Sequence, residues 1–252
     1  MKKYISTTII FSALIFMTPS FGQNKKYTIN LSKPGTEGIL KIDVYNASIS
    51  VRGYDGENIE FNIIDKRKGK DRGFGNAEAY YNIVEDNNFV IINNRDNSPH
   101  GRVKGLSLEL KVPKNFSVNL STYFGPEIQV SEIKGEIEVD GYFTDITVDN
   151  AIADVVGSTN HGDIGVTLSK VIESKTYYMS SYKGNVHISL PKDTDATLLI
   201  DNYFGKYQSD FQLNLNAKAT TKTTKFIRRD INGGGPEIQL INYFGDIFIR
   251  SK

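Results

Sequence analysis

Five tyrosines stand at one position of a recurring phrase: Tyr123 in STYFGPEIQV, Tyr142 in DGYFTDITVD, Tyr182 in SSYKGNVHIS, Tyr203 in DNYFGKYQSD and Tyr243 in INYFGDIFIR. A phenol ring carries an apolar face and a hydroxyl, so outward tyrosines held in register suit amphipathic ligands, stacking on a sugar ring while bonding to its hydroxyls. The competing reading is structural: such rings cover neighbouring strands and stiffen a sheet by cross-strand aromatic contact, which follows from repetition whether or not anything binds.

Other reactive side chains give weaker patterns. Acidic residues recur beside the same phrase as Asp145, Asp163 and Asp246, with Glu127 and Glu237 in the two GPEIQ variants. Carboxylates stacked in this way repel unless a cation or basic group intervenes, so calcium is conceivable, but neither an EF-hand nor the glycine-rich calcium repeat is present. The bland reading, carboxylates that cap strand ends in turns, is preferred. His100, His161 and His187 show no paired ligand spacing, so no zinc site is expected. There is no cysteine, hence no thiol nucleophile, disulfide or lipidated cysteine. No catalytic residues, metal or cofactor are therefore assigned. GFG at 73 and GGGP at 233 do not open helices, which is the wrong context for cradling phosphate.

What positions the tyrosines is a set of short strands. Apolar and polar residues alternate through Leu106–Leu108–Leu110–Val112, Ile137–Val139, Ile146–Val148, Ile164–Val166–Leu168 and Val186–Ile188–Leu190, broken by Gly, Asn, Asp and Pro. Period-two runs punctuated in this way are half-buried strands. The marker positions Gly125, Thr144, Gly162, Gly184, Gly205 and Gly245 are 19, 18, 22, 21 and 40 residues apart, the last about two periods. A period near 20 residues predicts an all-β β-solenoid, in which each coil buries its apolar edge only by stacking on the next. Carrying the alternation through the phrase places Thr122, Asn202 and Asn242 inward, together with Phe124, Phe143, Phe204 and Phe244. Those phenylalanines are expected to form an interior ladder, with Gly125, Gly205 and Gly245 at the bend. Asn202 and Asn242 are expected to satisfy corner backbone.

Residues 1–22 read as a signal peptide: Lys2 and Lys3 precede the apolar run Ile9–Met17, and small residues Ser20 and Gly22 end it. Residues 23–252 are expected to form one domain, with loops near 65–78 and 217–235. No other apolar segment approaches spanning length, so stable membrane insertion is not expected. Without the leader, acidic and basic residues nearly balance, which gives no electrostatic case for nucleic acid. The basic run KRKGKDR at 66–72 reads as a solvated loop, or as a patch for anionic glycan or lipid headgroups.

LKIDVYNASISVRGYDGENIEFNI at 40–63, followed by GEIEVD, GDIGVTLS and GNVHISLP, resembles the bacterial β-strand-repeat domains known as putative adhesins, and the leader ending SFGQ resembles those of Bacteroidota. The resemblance implies β-helical stacks in the periplasm or at the cell surface, and it implies no catalytic residue. Three roles follow for comparison: a noncatalytic envelope protein presenting a face to a glycan or another protein, a polysaccharide-active β-helix enzyme, and an accessory of envelope stress signalling. Carboxylates spread at repeat intervals rather than gathered in one cleft favour the first. Oligomeric state leaves no mark on the sequence.

Overall fold

Period-two patterning is realised as strands throughout. The computed structural model describes residues 24–65, 81–94, 105–213 and 226–252. The leader, the basic run at 66–72, the GFG motif and His100 lie outside the described residues. Among those described there is no helix. The first strands are β1 (Asn24–Ile29), β2 (Ile39–Tyr45), β3 (Ala47–Tyr54), β4 (Ile59–Asp65), β5 (Tyr81–Asp86), β6 (Phe89–Asn94) and β7 (Leu106–Pro113). The middle holds β8 (Ser117–Tyr123), β9 (Glu127–Ser131), β10 (Ile137–Tyr142), β11 (Asp145–Ala151), β12 (Val155–His161), β13 (Ile164–Leu168), β14 (Tyr177–Lys183) and β15 (Val186–Leu190). The chain ends with β16 (Ala196–Asn202), β17 (Tyr207–Ser209), β18 (Phe226–Ile231), β19 (Glu237–Asn242) and β20 (Ile247–Ser251).

Two mixed ten-stranded sheets result, ordered β1-β4-β7-β3-β9-β11-β13-β15-β20-β17 and β18-β16-β19-β14-β12-β10-β8-β2-β6-β5. From β6 to β17 the chain visits the sheets alternately, and each strand pairs in parallel with the equivalent strand of the neighbouring turn of chain. Equivalent residues therefore form columns: Val118, Ile137, Val155, Tyr177, Ile238 and Leu198 are partners in successive strands of the second sheet. Ile128, Ile146, Ile164, Val186 and Ile247 make the matching column in the first. Both columns are buried in one continuous core. Each such aliphatic side chain contributes about 1.5–3 kcal/mol on burial, which compensates for the absence of disulfides.

Antiparallel strands close three of the four sheet ends: β1 on β4 and β4 on β7, β5 on β6, and β18 on β16. The stretch 217–235, read from the sequence as a loop, thus contains β18, whose Ile227 and Ile231 reach the core. Capping matters because an unpaired strand edge is a template for association with other chains.

At five corners between the sheets a side chain bonds to a carbonyl of the adjacent turn of chain. Thr122 Oγ1 donates to the Ala47 carbonyl at 3.0 Å, Thr144 Oγ1 to Gly125 at 2.7 Å and Thr159 Oγ1 to Thr144 at 2.8 Å. Ser181 Oγ donates to Gly162 at 3.0 Å and Asn242 Nδ2 to Gly184 at 2.7 Å. Asn202 bonds within its own corner, Nδ2 donating to the Lys206 carbonyl and Oδ1 accepting from the Gly205 amide. The buried asparagines thus do the backbone work expected of them. Close approach explains the glycines: a Cβ on Gly125 would lie 2.1 Å from the Ala47 oxygen, and one on Gly245 1.9 Å from that of Gly184. Such contacts leave no room for a side chain.

The interior phenylalanine ladder is overturned. Phe124, Phe143, Phe204 and Phe244 are 53%, 48%, 68% and 46% exposed. Strand alternation ends one or two residues before each of them. At Phe124 and Phe143 the backbone turns left-handed, with φ of 60° and 59°, which swings the ring out of the alternating pattern. The inward position at the corner belongs to Thr122, Gly141, Thr159, Ser181, Asn242 and Asn202 instead.

Candidate functional site

Because the parallel strands are in register, whatever follows the corner residue is repeated as a row along one edge of the molecule. The first row, in spatial order, is Tyr45, Tyr123, Tyr142, Asn160, Tyr182, Tyr243 and Tyr203. Seven strands at the usual spacing carry it over roughly 29 Å. All five tyrosines singled out from the sequence fall in it; Tyr243 is half-buried and the other four are exposed. One residue further on lies a second row: Phe124, Phe143, His161, Lys183, Phe244 and Phe204.

Ring contacts run along and between the rows. Tyr45 stacks on Tyr123 at 5.0 Å, Tyr182 on Tyr243 at 5.0 Å, and Tyr203 meets Tyr243 at 4.8 Å. In the second row Phe124 stacks on Phe143 at 5.6 Å, Phe143 on His161 at 4.3 Å, and Phe204 on Phe244 at 4.9 Å. Edge contacts such as Phe124–Tyr142 at 5.6 Å and Tyr182–Phe244 at 5.5 Å join the two. Contacts of these geometries contribute about 0.5–1.5 kcal/mol per pair beyond burial, so the strip is partly self-supporting.

Polar rows flank the strip. On the outer face of the second sheet, Asp43, Ser121, Asp140, Ser158 and Ser180 continue inward from the tyrosines, with Ser121 Oγ donating to Asp43 at 2.9 Å and Ser158 Oγ bonded to Asp140. On the other side the recurring acids make a backbone ladder. Asp145 Oδ1 accepts the Asp163 amide at 2.9 Å, Asp163 the Asn185 amide at 2.7 Å, Asn185 the Asp246 amide at 3.0 Å, and Asp246 the Lys206 amide at 2.8 Å. That use of the carboxylates is structural. Of the two glutamates, Glu127 accepts from Gln129 and Glu237 pairs with Arg228 at 2.7 Å. Among the described residues, no three His, Cys, Asp or Glu side chains gather where they would hold a metal ion.

Sequence reasoning missed Tyr45, Asn160 and His161 as members of the strip. Tyr45 was legible, because VYNAS at 44–48 is the same phrase with Asn46 and Ala47 in place of Phe and Gly. His161 takes the phenylalanine position of its strand, and its Nδ1 is bonded to Asn160 Oδ1. His187, by contrast, stacks on Phe248 at 4.6 Å on the other sheet.

Fold and site together define an all-β protein of two large sheets with an exposed aromatic edge. No family model matches the chain, and no curated protein does. Among solved structures it is similar to a putative cell adhesion protein from Clostridium sporogenes, at 14% identity and a TM-score of 0.54, covering 91% of this chain and 100% of that one. A putative adhesin from Bacteroides fragilis (8% identity, TM-score 0.43, 93% and 99% covered) and a putative lipid binding protein from Parabacteroides distasonis (12%, 0.36, 91% and 97%) are more distant. The first likeness shows a shared fold; the other two carry no argument.

Proposed function

We propose that the protein is an exported, noncatalytic envelope protein, a β-solenoid with coils of about 20 residues, whose aromatic strip binds an extended ligand as an adhesin would. The observation that carries this reading is the second row. Phe124 and Phe143 are exposed bulky apolar residues in left-handed backbone, a conformation that costs on the order of 1–3 kcal/mol. Asn46 holds the same position at the same corner geometry, so the fold does not require phenylalanine there. Exposed contiguous apolar surface with polar rims marks an interaction site.

A glycan suits the strip better than a protein partner, since the flanking row of Asp43, Ser121, Asp140, Ser158 and Ser180 offers hydrogen bonds beside the tyrosines from β2 to β14, while the rings offer apolar contact surface. The alternating visits to two sheets, the parallel register and the corner bonds between successive turns support the winding. Export to the periplasm or cell surface rests on the leader, and the adhesin role draws on the Clostridium sporogenes likeness.

Native cell fractionation, a glycan array and a pull-down with the mature protein test the reading together. Replacing Tyr123, Tyr142, Tyr203 and Tyr243 by Ala is expected to lower retention on the preferred glycan at least about tenfold, equivalent to about 1.4 kcal/mol, with circular dichroism unchanged. Unaltered affinity in a folded variant sinks the strip as the binding surface.

A further inference from the structure

The tyrosine row has one break. At β12 the position is Asn160, between Tyr142 on β10 and Tyr182 on β14. Where the row is continuous, adjacent rings stand about one strand spacing apart; across the break the spacing is doubled, to roughly 9.6 Å. A ring laid in that gap has room to touch a phenol face on each side, at roughly 4–5 Å from each, the near end of ordinary ring-contact distances. Tyr182 has Tyr243 stacked on one side and turns its other face towards the break. His161 closes the end next to the phenylalanine row, its ring 6.2 Å from Tyr142 and 6.3 Å from Tyr182.

The floor of the break is polar. Asp140, Ser158, Asn160 and Ser180 lie at the centre of a cleft of about 450 Å³ that passes Tyr142 and Tyr182 and reaches Tyr123 on one side and Ile241 and Tyr243 on the other. Asn160 is drawn aside by its bond to His161, which occupies its oxygen; its amide Nδ2 has no partner among the described residues. Ser180 Oγ likewise has none, and Asp140 uses only Oδ1, on Ser158. The cleft therefore offers a free amide donor, a hydroxyl that donates or accepts and a carboxylate oxygen that accepts, between two aromatic walls.

We propose that this break is a slot for a single hexopyranose ring, the terminal unit of a glycan held at the strip. A pyranose has C–H faces that meet the tyrosine walls and equatorial hydroxyls that both donate and accept, matching the floor. The proposal rests on the reading of the strip as a binding surface, and it adds where the recognition of one sugar unit is concentrated. A flat apolar ligand would leave the floor's polar groups unpaired, at a cost that a hydroxylated ring avoids.

The test is an amide-shift titration of the mature chain by NMR with methyl β-D-glucopyranoside, methyl α-D-mannopyranoside, methyl β-D-galactopyranoside and N-acetyl-D-glucosamine. At least one should shift the amides of Gly141, Ser158, Asn160 and Ser181 saturably, with a millimolar Kd. Asn160→Tyr completes the row with the residue used at its neighbours and should abolish those shifts. Ser180→Ile, which copies Ile241 beside it, fills the floor and gives a second variant should the first misfold. His187→Ala, on the other sheet and outside the strip, should leave the monosaccharide shifts as they are. No saturable shift from any of the four sugars, or shifts that persist in folded Asn160→Tyr and Ser180→Ile, overturns the slot. Failure of the slot with oligosaccharide retention still sensitive to Tyr45 and Tyr203 leaves the strip standing. Monosaccharide binding at the break, with retention indifferent to those two, leaves the slot and removes the strip.

Discussion

The middle of the molecule and its two ends are built from the same unit but assembled differently. From β8 to β15 each new turn of chain is laid beside the previous one, so spatial order and chain order agree. At the ends they do not. β2 and β3 lie between β6–β7 and β8–β9, and β19 and β20 lie between β14–β15 and β16–β17. Each intercalated pair is thereby paired on both sides, while β4–β7 with β1, and β16–β18, become the outermost layers, with an antiparallel cap at every sheet end but that of β17. A simply stacked array would leave its first and last strands open, where fraying and edge association begin. Intercalation ties β2 and β3 and the last two strands into the interior of the sheets, while β1 stays at an edge, at the expense of sequence-distant contacts that slow folding.

Removing residues 237–252 should have the largest effect on this contrast. It would strip both partners from between β14–β15 and β16–β17, and we expect loss of a cooperative thermal transition by circular dichroism. A truncated chain that melts like the full one would mean the terminal turn is an addition rather than a keystone.

Next in size is Asn242→Ala, which removes the amide that bonds the Gly184 carbonyl inside the intercalated corner. The expected loss is about 1–3 kcal/mol, read from the denaturation midpoint. Thr159→Ala, at the same corner position in the middle, should cost a similar amount if middle and end use one corner chemistry. A much smaller loss at Asn242 would separate them.

A smaller, pH-dependent effect belongs to the middle. Asp154, just before β12, accepts from Lys175 Nζ at 2.8 Å and from the Thr176 amide at 2.7 Å, linking adjacent turns. Burial alone would raise its pKa, but the hydrogen bonds and the charge of Lys175 outweigh this and hold it below the usual carboxylate value. A depressed folded-state pKa contributes stability above the unfolded pKa that is lost as pH falls through the folded value. Asp154→Asn should therefore narrow the stability difference between neutral and acidic pH, measured by denaturation at the two. An unchanged pH slope would leave this link without electrostatic weight.

Smallest is Phe124→Asn. Asparagine tolerates left-handed backbone and already serves at Asn46, so stability should change by no more than about 0.5 kcal/mol or rise slightly, whereas ligand retention should fall. A marked loss of stability would make the second row a structural device and remove the main support for a binding role.

Alternation made the strands legible one by one: Val118 and Leu120, Ile164 and Val166, and Val186 and Ile188 all point inward as their spacing requires. The tyrosine row was legible for the same reason, since Tyr123 and Tyr142 are still within their strands, where period two holds. Phe124 and Phe143 lie one residue beyond, where a single left-handed φ resets the direction of every following side chain. Nothing in local alternation encodes that reset. Asn160 and His161 were illegible because neither resembles the tyrosine or phenylalanine it replaces; only register with β10 and β14 identifies them.

By itself, then, the amino-acid order determined that the chain forms short strands, which residues face the core within each, and that equivalent units recur, because these follow from interactions between near neighbours. The spatial order of the units, the outward turn of the phenylalanines and the gap at Asn160 were decided only in three dimensions. Parallel pairing has much the same backbone hydrogen bonds whichever turns are adjacent, so the choice falls to corner bonds, side-chain fit and edge closure between residues far apart in the chain.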